Sequence, residues 1–386
     1  MPAPGTSVTV VILVLNSGSS SLKYLLVDPA TPAGDRRGTV ERVGEAVPDH
    51  HAALEQALDR LDGAAADIDA VGHRVVHGGA RFTRPAIVDD AVLAAIHEFS
   101  PLAPLHNPPA AAVIEAARRL LPDAVQVAVF DTAFHATLPA PAATYALDAG
   151  LARAHGIRRY GFHGISVAAV ARHTGDLLGR PWRELNLVVL HLGNGASATA
   201  VRAGASVETS MGFTPLEGLV MGTRCGDLDP AVVVFLQRQA GLSVNEVDDV
   251  LVRRSGLAGL AGAADLREVL AARDAGDPDA ALAIEVMCHR VRKYVGAYHA
   301  VLGRLDAVVF TAGIGEHAPS IRALSLAGLD HWGIEVDPAR NTATDTRARV
   351  ISPDHGRVAV CVVPTDEEHA IAEEVTALLG RRRRAT

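Results

Sequence analysis

Residues 8–21 read VTVVILVLNSGSSS, and this stretch decides the fold. Its first part, 8–15, is an uninterrupted apolar run rich in β-branched side chains, which is typical of a central strand buried on both faces. The small residues from Asn16 to Ser21 favour a tight turn, and a second strand is predicted at 22–27. The stretch therefore predicts a hairpin inside a sheet that helices cover on both faces.

The rest of the chain alternates helical periodicity with short apolar runs. Helices are predicted near 50–61, 90–99, 110–120, 230–239, 244–252, 280–302, 319–326 and 366–379. Strands are predicted at 125–130, 187–190, 198–202, 307–310 and 358–363. This alternation favours an α/β fold whose mixed, mostly parallel sheets are flanked by helices.

The plan of the first half repeats in the second half. The strand at 187–190 ends in a second loop of small residues, and another strand follows it directly. Asn16 and His191 are 175 residues apart (191 − 16), and Phe130 and Phe310 are 180 apart (310 − 130). We read these similar offsets as a duplication that pairs the strand ending at Phe130 with the strand ending at Phe310.

The composition excludes several classes of protein. The chain has 386 residues with 36 basic and 44 acidic side chains, and this charge of −8 gives no reason to expect a nucleic-acid partner. No apolar run reaches the roughly 20 residues of a membrane helix, so we expect no membrane partner. Residues 8–15 are too short for a signal peptide. Three cysteines without metal-binding spacing favour a reducing compartment, and we expect a cytoplasmic protein.

Two glycine- and serine-containing loops are candidates for binding phosphate. They span 16–21 and 191–195, and each is predicted to follow a buried strand. Such loops let backbone N–H groups approach phosphate oxygens, although each could equally be a tight turn that needs glycine. Neither loop matches the P-loop or the dinucleotide fingerprint, and 313–315 is the nearest approach to the latter.

Four charged or titratable residues lie in apolar or glycine-rich settings. Arg74 and Arg224 each offer a planar fork that suits a carboxylate or a phosphoryl group, with a structural ion pair as the alternative. Asp131 ends a buried strand and could be a base, a metal ligand or a helix cap. His163 precedes a helical pattern, where it could be a catalyst or a structural donor.

Three motifs resemble the acetate kinase family. Asn16–Lys23 is similar to its N-terminal signature, Arg159–Gly164 to its second signature and Thr209–Pro230 to its long central block. The matches run in order from residue 16 to residue 368. The resemblance implies the duplicated fold of the sugar kinase, actin-like ATPase and chaperone superfamily, which is ribonuclease H-like. It further implies a homodimer and a nucleotide cleft between two lobes, which we assign to 1–131 with 366–386 and to 132–365.

The resemblance also implies a reaction. The γ-phosphoryl group of ATP would pass reversibly and in line to acetate, giving acetyl phosphate and ADP, with Mg²⁺ or alternatively Mn²⁺. Propionate or butyrate is the alternative acid. An apolar pocket discriminates between acids that differ by one methylene by only about 1–3 kcal/mol, so these acids are hard to tell apart. A binding protein without turnover is less well supported, since it would be expected to lose Arg74, His163 or Arg224, and all three are present.

Roles carry over from the family by position. Arg74 matches the residue that binds the substrate carboxylate, and Asp131 matches the catalytic aspartate. His163 and Arg224 match the pair that stabilises the transferring phosphoryl group. A carboxylate nucleophile carries no proton to remove, so we expect Asp131 to orient Arg74 or a metal-bound water. The positions matching the metal site are Asn16 and Glu367.

The remaining carried-over positions contact the nucleotide or the methyl group. Those matching nucleotide contacts are Lys23, His191, Leu192, Gly193, Asn194, Gly195, Asp265, Leu266, Arg267, Gly313, Ile314, Gly315, Glu316 and His317. Those matching the apolar pocket for the methyl group are Val76, Leu105, Phe162 and Pro215.

Five positions depart from the family pattern without removing a charged catalytic residue. Ile165 and Val167 replace Thr and His in the first turn after His163, which puts the start of that helix in question. Ala110 and Asp366 each replace Asn. His317 also replaces Asn and bears on nucleotide preference.

Overall fold

The computed structural model describes residues 10–28, 34–61 and 67–383, and the chain divides into two compact units. The first unit is Met1–Ala133 with Asp366–Thr386, and the second is Phe134–Thr365. The division falls two residues later than the expected one after residue 131. Residues 8 and 9 of the predicted first strand lie outside the described residues.

The first unit contains a six-stranded mixed sheet. Its strands are β1 Ile12–Ser17, β2 Ser21–Val27, β3 Arg36–Glu41, β4 Ala70–Val75, β5 Ala86–Ile87 and β6 Val125–Phe130. Their order in the sheet is β3-β2-β1-β4-β6-β5. Strands β1, β4 and β6 are parallel, and the others pair antiparallel. Every residue of β1 is buried, which confirms the prediction of a central strand.

The second unit contains a sheet of the same size. Its strands are β7 Asn186–Leu192, β8 Ala196–Arg202, β9 Ala205–Thr209, β10 Ala307–Thr311, β11 Arg349–Val350 and β12 Ala359–Val362. Their order is β9-β8-β7-β10-β12-β11, with β7, β10 and β12 parallel. The two sheets therefore have the same strand order, and the predicted fold class of two mixed sheets flanked by helices is confirmed.

The predicted correspondence between the halves is wrong in one respect. The shared strand order makes β10 the equivalent of β4, so the strand ending at Phe310 does not correspond to β6. The equivalent of β6 is β12. The reason is a difference in insertions: β4 starts 29 residues after β3 ends (70 − 41), whereas β10 starts 98 residues after β9 ends (307 − 209). The similar offsets in sequence are coincidental.

Helices cover both sheets. In chain order they are α1 His50–Arg60, α2 Asp90–Glu98, α3 Asn107–Leu120, α4 Ala140–Ala143, α5 Ala149–Ala154, α6 Gly164–Leu177, α7 Pro230–Arg238, α8 Val244–Arg253, α9 Gly256–Ala261, α10 Leu266–Asp274, α11 Pro278–Leu302, α12 Ala312–His317, α13 Pro319–Leu326, α14 Pro338–Thr342 and α15 Glu367–Arg383. Short 3₁₀ turns lie at Ser100–Leu102, Ala133–Thr137, Trp182–Glu184 and Asp330–Trp332. Across the described residues, no helix is long and apolar enough to cross a membrane.

Periodicity identified the long elements but not the short ones. Strands β3 and β9 and helix α10 were not predicted, and residues 311–315, which follow the predicted strand at 307–310, are the end of β10 and the first part of α12. Helix α6 begins at Gly164 despite the two departures that follow His163. Val167 lies fully buried in the core of the second unit, so an apolar residue suits that position.

In the first unit, α1 and α3 pack on one face of the sheet and α15 packs on β1 and β4. Helix α15 approaches the sheet closely at Gly72 of β4. A Cβ atom added there would lie 2.8 Å from Cγ2 of Ile371 and 3.0 Å from Cγ2 of Val375. The C-terminal helix therefore depends on the absence of a side chain at residue 72.

We predict that Gly72→Ala destabilises the protein by about 1–3 kcal/mol, because both neighbours are stiff, β-branched and buried. The matched control is Gly380→Ala. Gly380 lies in α15, the helix that Gly72 contacts, and a Cβ atom at residue 380 would meet nothing within 4 Å. Urea unfolding measures both variants. An unchanged midpoint for Gly72→Ala would contradict this packing.

Candidate active site

Arg74 lies at the centre of a polar cluster in the first unit. Its Nε and Nη2 donate to the two carboxylate oxygens of Asp131 at 3.2 and 2.7 Å, and its Nη1 donates to Oδ1 of Asn16 at 3.2 Å. Oε2 of Glu367 lies 3.6 Å from Nε. These residues come from the ends of three parallel strands and from the start of α15. The sheet thus brings together Asn16, Arg74, Asp131 and Glu367, which sequence matching had selected separately.

The charges of this cluster depend on one another. Burial raises the pKa of Asp131 to about 6, because desolvation disfavours the carboxylate; Arg74 opposes this shift and Glu367 adds to it. Burial also disfavours the charge of Arg74, but the carboxylates of Asp131 and Glu367 outweigh burial and raise its pKa. Arg74 is therefore always charged, while Asp131 titrates in an accessible pH range.

The oxygen atoms near Arg74 suit a magnesium ion. Asn16 offers an amide oxygen, its Nδ2 donates to Oε1 of Glu368 at 3.0 Å, and Glu367 lies beside it. These are hard oxygen ligands, and Mg²⁺ typically takes only one or two carboxylates together with water and substrate phosphate. Within the described ranges no three or more His, Cys, Asp or Glu side chains group as a metal site.

The other candidates of the first unit lie near the same strands. Lys23 is exposed on β2, directly opposite Asn16 in the pairing of β1 and β2. Paired residues of antiparallel strands point to the same face, so Lys23 shares a face of the sheet with Asn16. Val76 is buried just beyond β4, and Leu105, which precedes α3, is 39% exposed.

In the second unit, His163 lies immediately before α6 in a left-handed conformation (φ 59°). Its Nδ1 is 2.9 Å from Oγ of Ser197, and its ring stacks on His191 with centroids 4.1 Å apart. Nδ1 of His191 is 2.9 Å from Oγ of Ser166. Each imidazole is thus oriented by one serine, and α6 and β8 supply the two hydroxyl groups.

A turn of glycines follows β7, and two candidate side chains converge on it. Gly193 N donates to Gly195 O at 3.1 Å and closes the turn. A Cβ atom added at Gly195 would lie 3.0 Å from Nη2 of Arg224 and 3.5 Å from Nε2 of His163. The absence of a side chain at Gly195 therefore lets both side chains approach the turn closely, since a Cβ atom there would crowd Nη2 of Arg224.

Arg224 carries a charge that its own unit does not neutralise. Its Nη1 donates to the carbonyl oxygen of Pro215 at 2.6 Å, and burial lowers its pKa. Among residues 134–365, all of which the structure describes, no carboxylate forms an ion pair with it. Such an arginine is suited to an incoming anion. The same contact links Pro215, a candidate for the methyl pocket, to Arg224.

An ion pair that the motifs did not reveal holds this segment. Nη2 of Arg159 donates to Oε1 of Glu217 at 2.6 Å, and its Nη1 donates to three successive carbonyl oxygens, those of residues 209–211. Tyr145 donates to the other oxygen of Glu217 and accepts from Phe213 N. Arg159 lies four residues before His163, so this pair ties the His163 segment to the loop that carries Pro215.

The remaining candidate residues of the second unit lie at the start of α10, in α12, just before His163, and on β7 with the turn after it. Asp265 caps the start of α10 and pairs with the exposed side chain of Arg267, while Leu266 is buried. Gly313–His317 form most of α12, and a Cβ atom added at Gly313 would meet nothing within 4 Å. Phe162 is buried, and its carbonyl oxygen accepts from His135. Leu192 is a buried residue of β7, and Asn194 packs against Gly222.

Sequence reasoning missed the residues that orient these groups. Ser166, Ser197 and Glu368 contact candidate residues, yet a serine or a glutamate carries little signal by itself. Glu217 lies inside the central motif, so the motif marked the segment but not the role. Only three-dimensional contact distinguishes such residues from ordinary surface polar groups.

Known proteins resemble this chain over nearly their whole length in both sequence and structure. The acetate kinase of Streptomyces avermitilis is 52% identical over 394 residues, covering 96% of this chain and 97% of that protein. The crystal structure of Porphyromonas gingivalis acetate kinase superposes with a TM-score of 0.90 at 38% identity and covers 96% of this chain and 100% of that one. The crystal structure of a propionate kinase from Francisella tularensis superposes with a TM-score of 0.87 at 38% identity. It covers 95% of this chain and 98% of that one.

The duplicated α/β fold and the relatives that share it over nearly their whole length place the chain among the kinases. The model of the acetokinase family matches residues 36–373, nearly the whole chain. The chain belongs to the acetokinase family.

We predict that Glu217→Gln lowers stability by about 2–3 kcal/mol, because it leaves the largely buried Arg159 without its closest anionic partner. Urea unfolding measures the loss. Arg254→Gln is the matched control: its pair with Asp249 is exposed, and we expect an unchanged midpoint. Equal midpoints for Glu217→Gln and the wild-type protein would refute the role of this pair.

Proposed function

We propose that the protein is an acetate kinase that moves the γ-phosphoryl group of ATP to acetate and back. One observation carries the proposal: Nη2 of Arg224 and Nε2 of His163 converge beside Gly195, 3.0 and 3.5 Å from where a Cβ atom of that residue would lie. Arginine and imidazole N–H groups there suit the equatorial oxygens of a transferring phosphoryl group. Membership of the acetokinase family supports a carboxylic acid as the phosphoryl acceptor. The high identity to acetate kinases over nearly the whole chain favours acetate as that acid.

In the proposed reaction, an acetate oxygen forms a bond to the γ-phosphorus while the bond from that phosphorus to the bridging oxygen of ADP breaks. Arg74 binds the acetate carboxylate, and Asp131 holds the Arg74 guanidinium through two hydrogen bonds. The nucleophile is already an anion, so no general base is needed. Arg224 and His163 offset the charge that spreads over the phosphoryl oxygens.

Ser197 has a defined part in this mechanism. If its hydroxyl donates to Nδ1 of His163, the neutral ring carries its proton on Nε2 and can donate it to a phosphoryl oxygen. The stacked His191 and the glycine turn after β7 would contact the other phosphate groups. We assign the adenosine to the segments 265–267 and 313–317, and Lys23 to the phosphates.

The residues around Asn16 and Glu367 would hold Mg²⁺. When bound, the ion would neutralise phosphate charge, as it does in other phosphoryl-transfer enzymes. Val76, Leu105, Phe162 and Pro215 would contact the methyl group of acetate. Since ATP is the phosphoryl donor, we place the enzyme in the cytoplasm.

We also propose that two copies of the chain associate through the second unit. None of the side chains of α7 is buried, although the helix reads PAVVVFLQR. Phe235 is 60% exposed and Val234 is 41% exposed. An apolar face of this kind is typical of an interface.

A hydroxamate assay tests the proposed activity. With ATP and Mg²⁺ we expect acyl phosphate from acetate, less from propionate and least from butyrate. Arg224→Gln should lower kcat by about a hundredfold or more, because a transition-state donor is lost. Arg74→Gln should mainly raise KM for acetate. Product from none of the three acids would overturn the proposal, and better turnover of propionate would favour the alternative acid.

The pKa of Asp131 gives a pH dependence. Below about pH 6 the carboxylate takes up a proton and loses the charge that orients Arg74, so we expect kcat/KM for acetate to fall as the pH drops through 6. The protonation of acetate and ATP affects the wild-type and variant proteins equally. It therefore cancels in the ratio of wild-type to Asp131→Asn activity, which is the quantity to measure. We expect this ratio to fall toward acid pH. A ratio independent of pH would contradict the assignment.

The proposed association is tested by sedimentation. We expect Phe235→Glu to shift the protein from dimer to monomer, because a charge would be desolvated in the interface. Leu282→Glu, on α11 and 52% exposed, controls for a new charge at an exposed apolar position. A wild-type protein that sediments as a monomer at micromolar concentration would refute the association.

A further inference from the structure

A cavity of about 250 Å³ lies beyond the end of β12 in the second unit. Arg322 of α13 and Arg349 of β11 line it, together with Thr344 and Thr346 from the loop between α14 and β11. None of the residues assigned above to phosphate or acid lines this cavity. Of the segment assigned to adenosine, only its end, Glu316 and His317, reaches the wall.

Arg322 is a buried charge held by neutral groups. Its residue is 1% exposed. Its Nη1 donates to the carbonyl oxygens of Gly315 and Glu316, both at 2.9 Å, and its Nε and Nη2 donate to the side-chain and backbone oxygens of Asn341 at 2.7 and 2.6 Å. Burial, and then the charge of Arg349, lower the pKa of Arg322 to about 10. Two guanidinium groups therefore repel one another at this cavity.

Arg349 adds an unused donor. Its Nε is buried without a hydrogen-bond partner, while its Nη1 donates to the carbonyl oxygens of Asp345 and Arg347. In the described part of the chain, neither Arg322 nor Arg349 forms an ion pair with a carboxylate.

Two acidic side chains line the cavity, but both have other partners. Oε1 of Glu316 accepts from the backbone N–H of Thr365 at 3.2 Å, and Asp345 pairs with Arg347 at 2.8 Å. Asp345 also interacts electrostatically with Arg349, whereas no carboxylate of the described residues acts on Arg322, whose charge is left without an anion. Buried charges are normally paired, since desolvation without a partner is costly.

We propose that this cavity is a second anion site, which binds a small phosphate-type oxyanion between Arg322 and Arg349. Four of the five N–H hydrogens of Arg322 are already donated, so Arg322 offers the anion its charge and one remaining Nη2 hydrogen. Arg349 and the hydroxyls of Thr344 and Thr346 can donate to the oxygens of a tetrahedral oxyanion. A volume of about 250 Å³ holds more than one phosphate group, so phosphorylated small molecules also fit. The site stands on its own residues and does not depend on the proposed kinase activity.

Titration calorimetry with inorganic phosphate tests the site at constant ionic strength. All proteins carry Arg224→Gln, so that binding at the catalytic groups is weakened throughout. In this background we expect one phosphate to bind, and Arg349→Gln to weaken binding about tenfold because a charged donor is lost. The matched control is Arg254→Gln, whose side chain is exposed, pairs with Asp249 and does not line the cavity. We expect it to leave binding unchanged.

Crystals of the otherwise unaltered protein soaked in selenate provide a second measurement. We expect an anomalous selenium peak between the guanidinium groups of Arg322 and Arg349. A cavity without a selenium peak would overturn the proposal, as would equal phosphate affinities in the Arg349→Gln and Arg254→Gln proteins. Loss of kinase activity alone would not bear on it.

Discussion

The first unit depends on the buried ion pair between Arg74 and Asp131. Arg74 stands on β4 and Asp131 follows β6, while Asn16 on β1 and Glu367 at the start of α15 contact the same guanidinium. One side chain thus joins three parallel strands and the C-terminal helix. Removing either charge would leave the other buried without its partner, which is strongly destabilising. The arrangement that we assign to substrate binding therefore also holds the strand ends in place.

The second unit has the same strand order as the first, but different side chains stand at the ends of its strands. Its equivalent strands carry the imidazole of His191 at the end of β7 and the hydroxyl of Thr311 at the end of β10, and serines orient the histidines. Arg224 approaches the glycine turn from a separate loop and lacks a carboxylate partner within its unit. One unit thus neutralises its arginine internally, whereas the other keeps a charge for an anion. This contrast suits a reaction that joins a carboxylate to a phosphoryl group.

Prediction from the sequence succeeded where the local pattern of residues favours a single kind of secondary structure. The apolar run before Asn16 could be only a buried strand or a buried helix, and the turn residues after it favoured the strand. The strand at 125–130 was located to the residue. Prediction failed for β11, which has only two residues. It also chose the wrong strand of the second unit as the equivalent of β6, because sequence distance does not record which strands are neighbours in a sheet.

The sequence by itself determined the duplicated α/β plan, the family motifs and the chemical types of the candidate residues, because these follow from local periodicity and from residue identity. Tertiary structure alone decided which partner each group has. Asp131 could have been a base, a ligand or a cap, and its two hydrogen bonds to Arg74 exist only because β4 and β6 are neighbours. Likewise, Ser197 orients His163 across 34 residues of chain. Contacts between distant residues depend on how elements pack, and no local pattern encodes that packing.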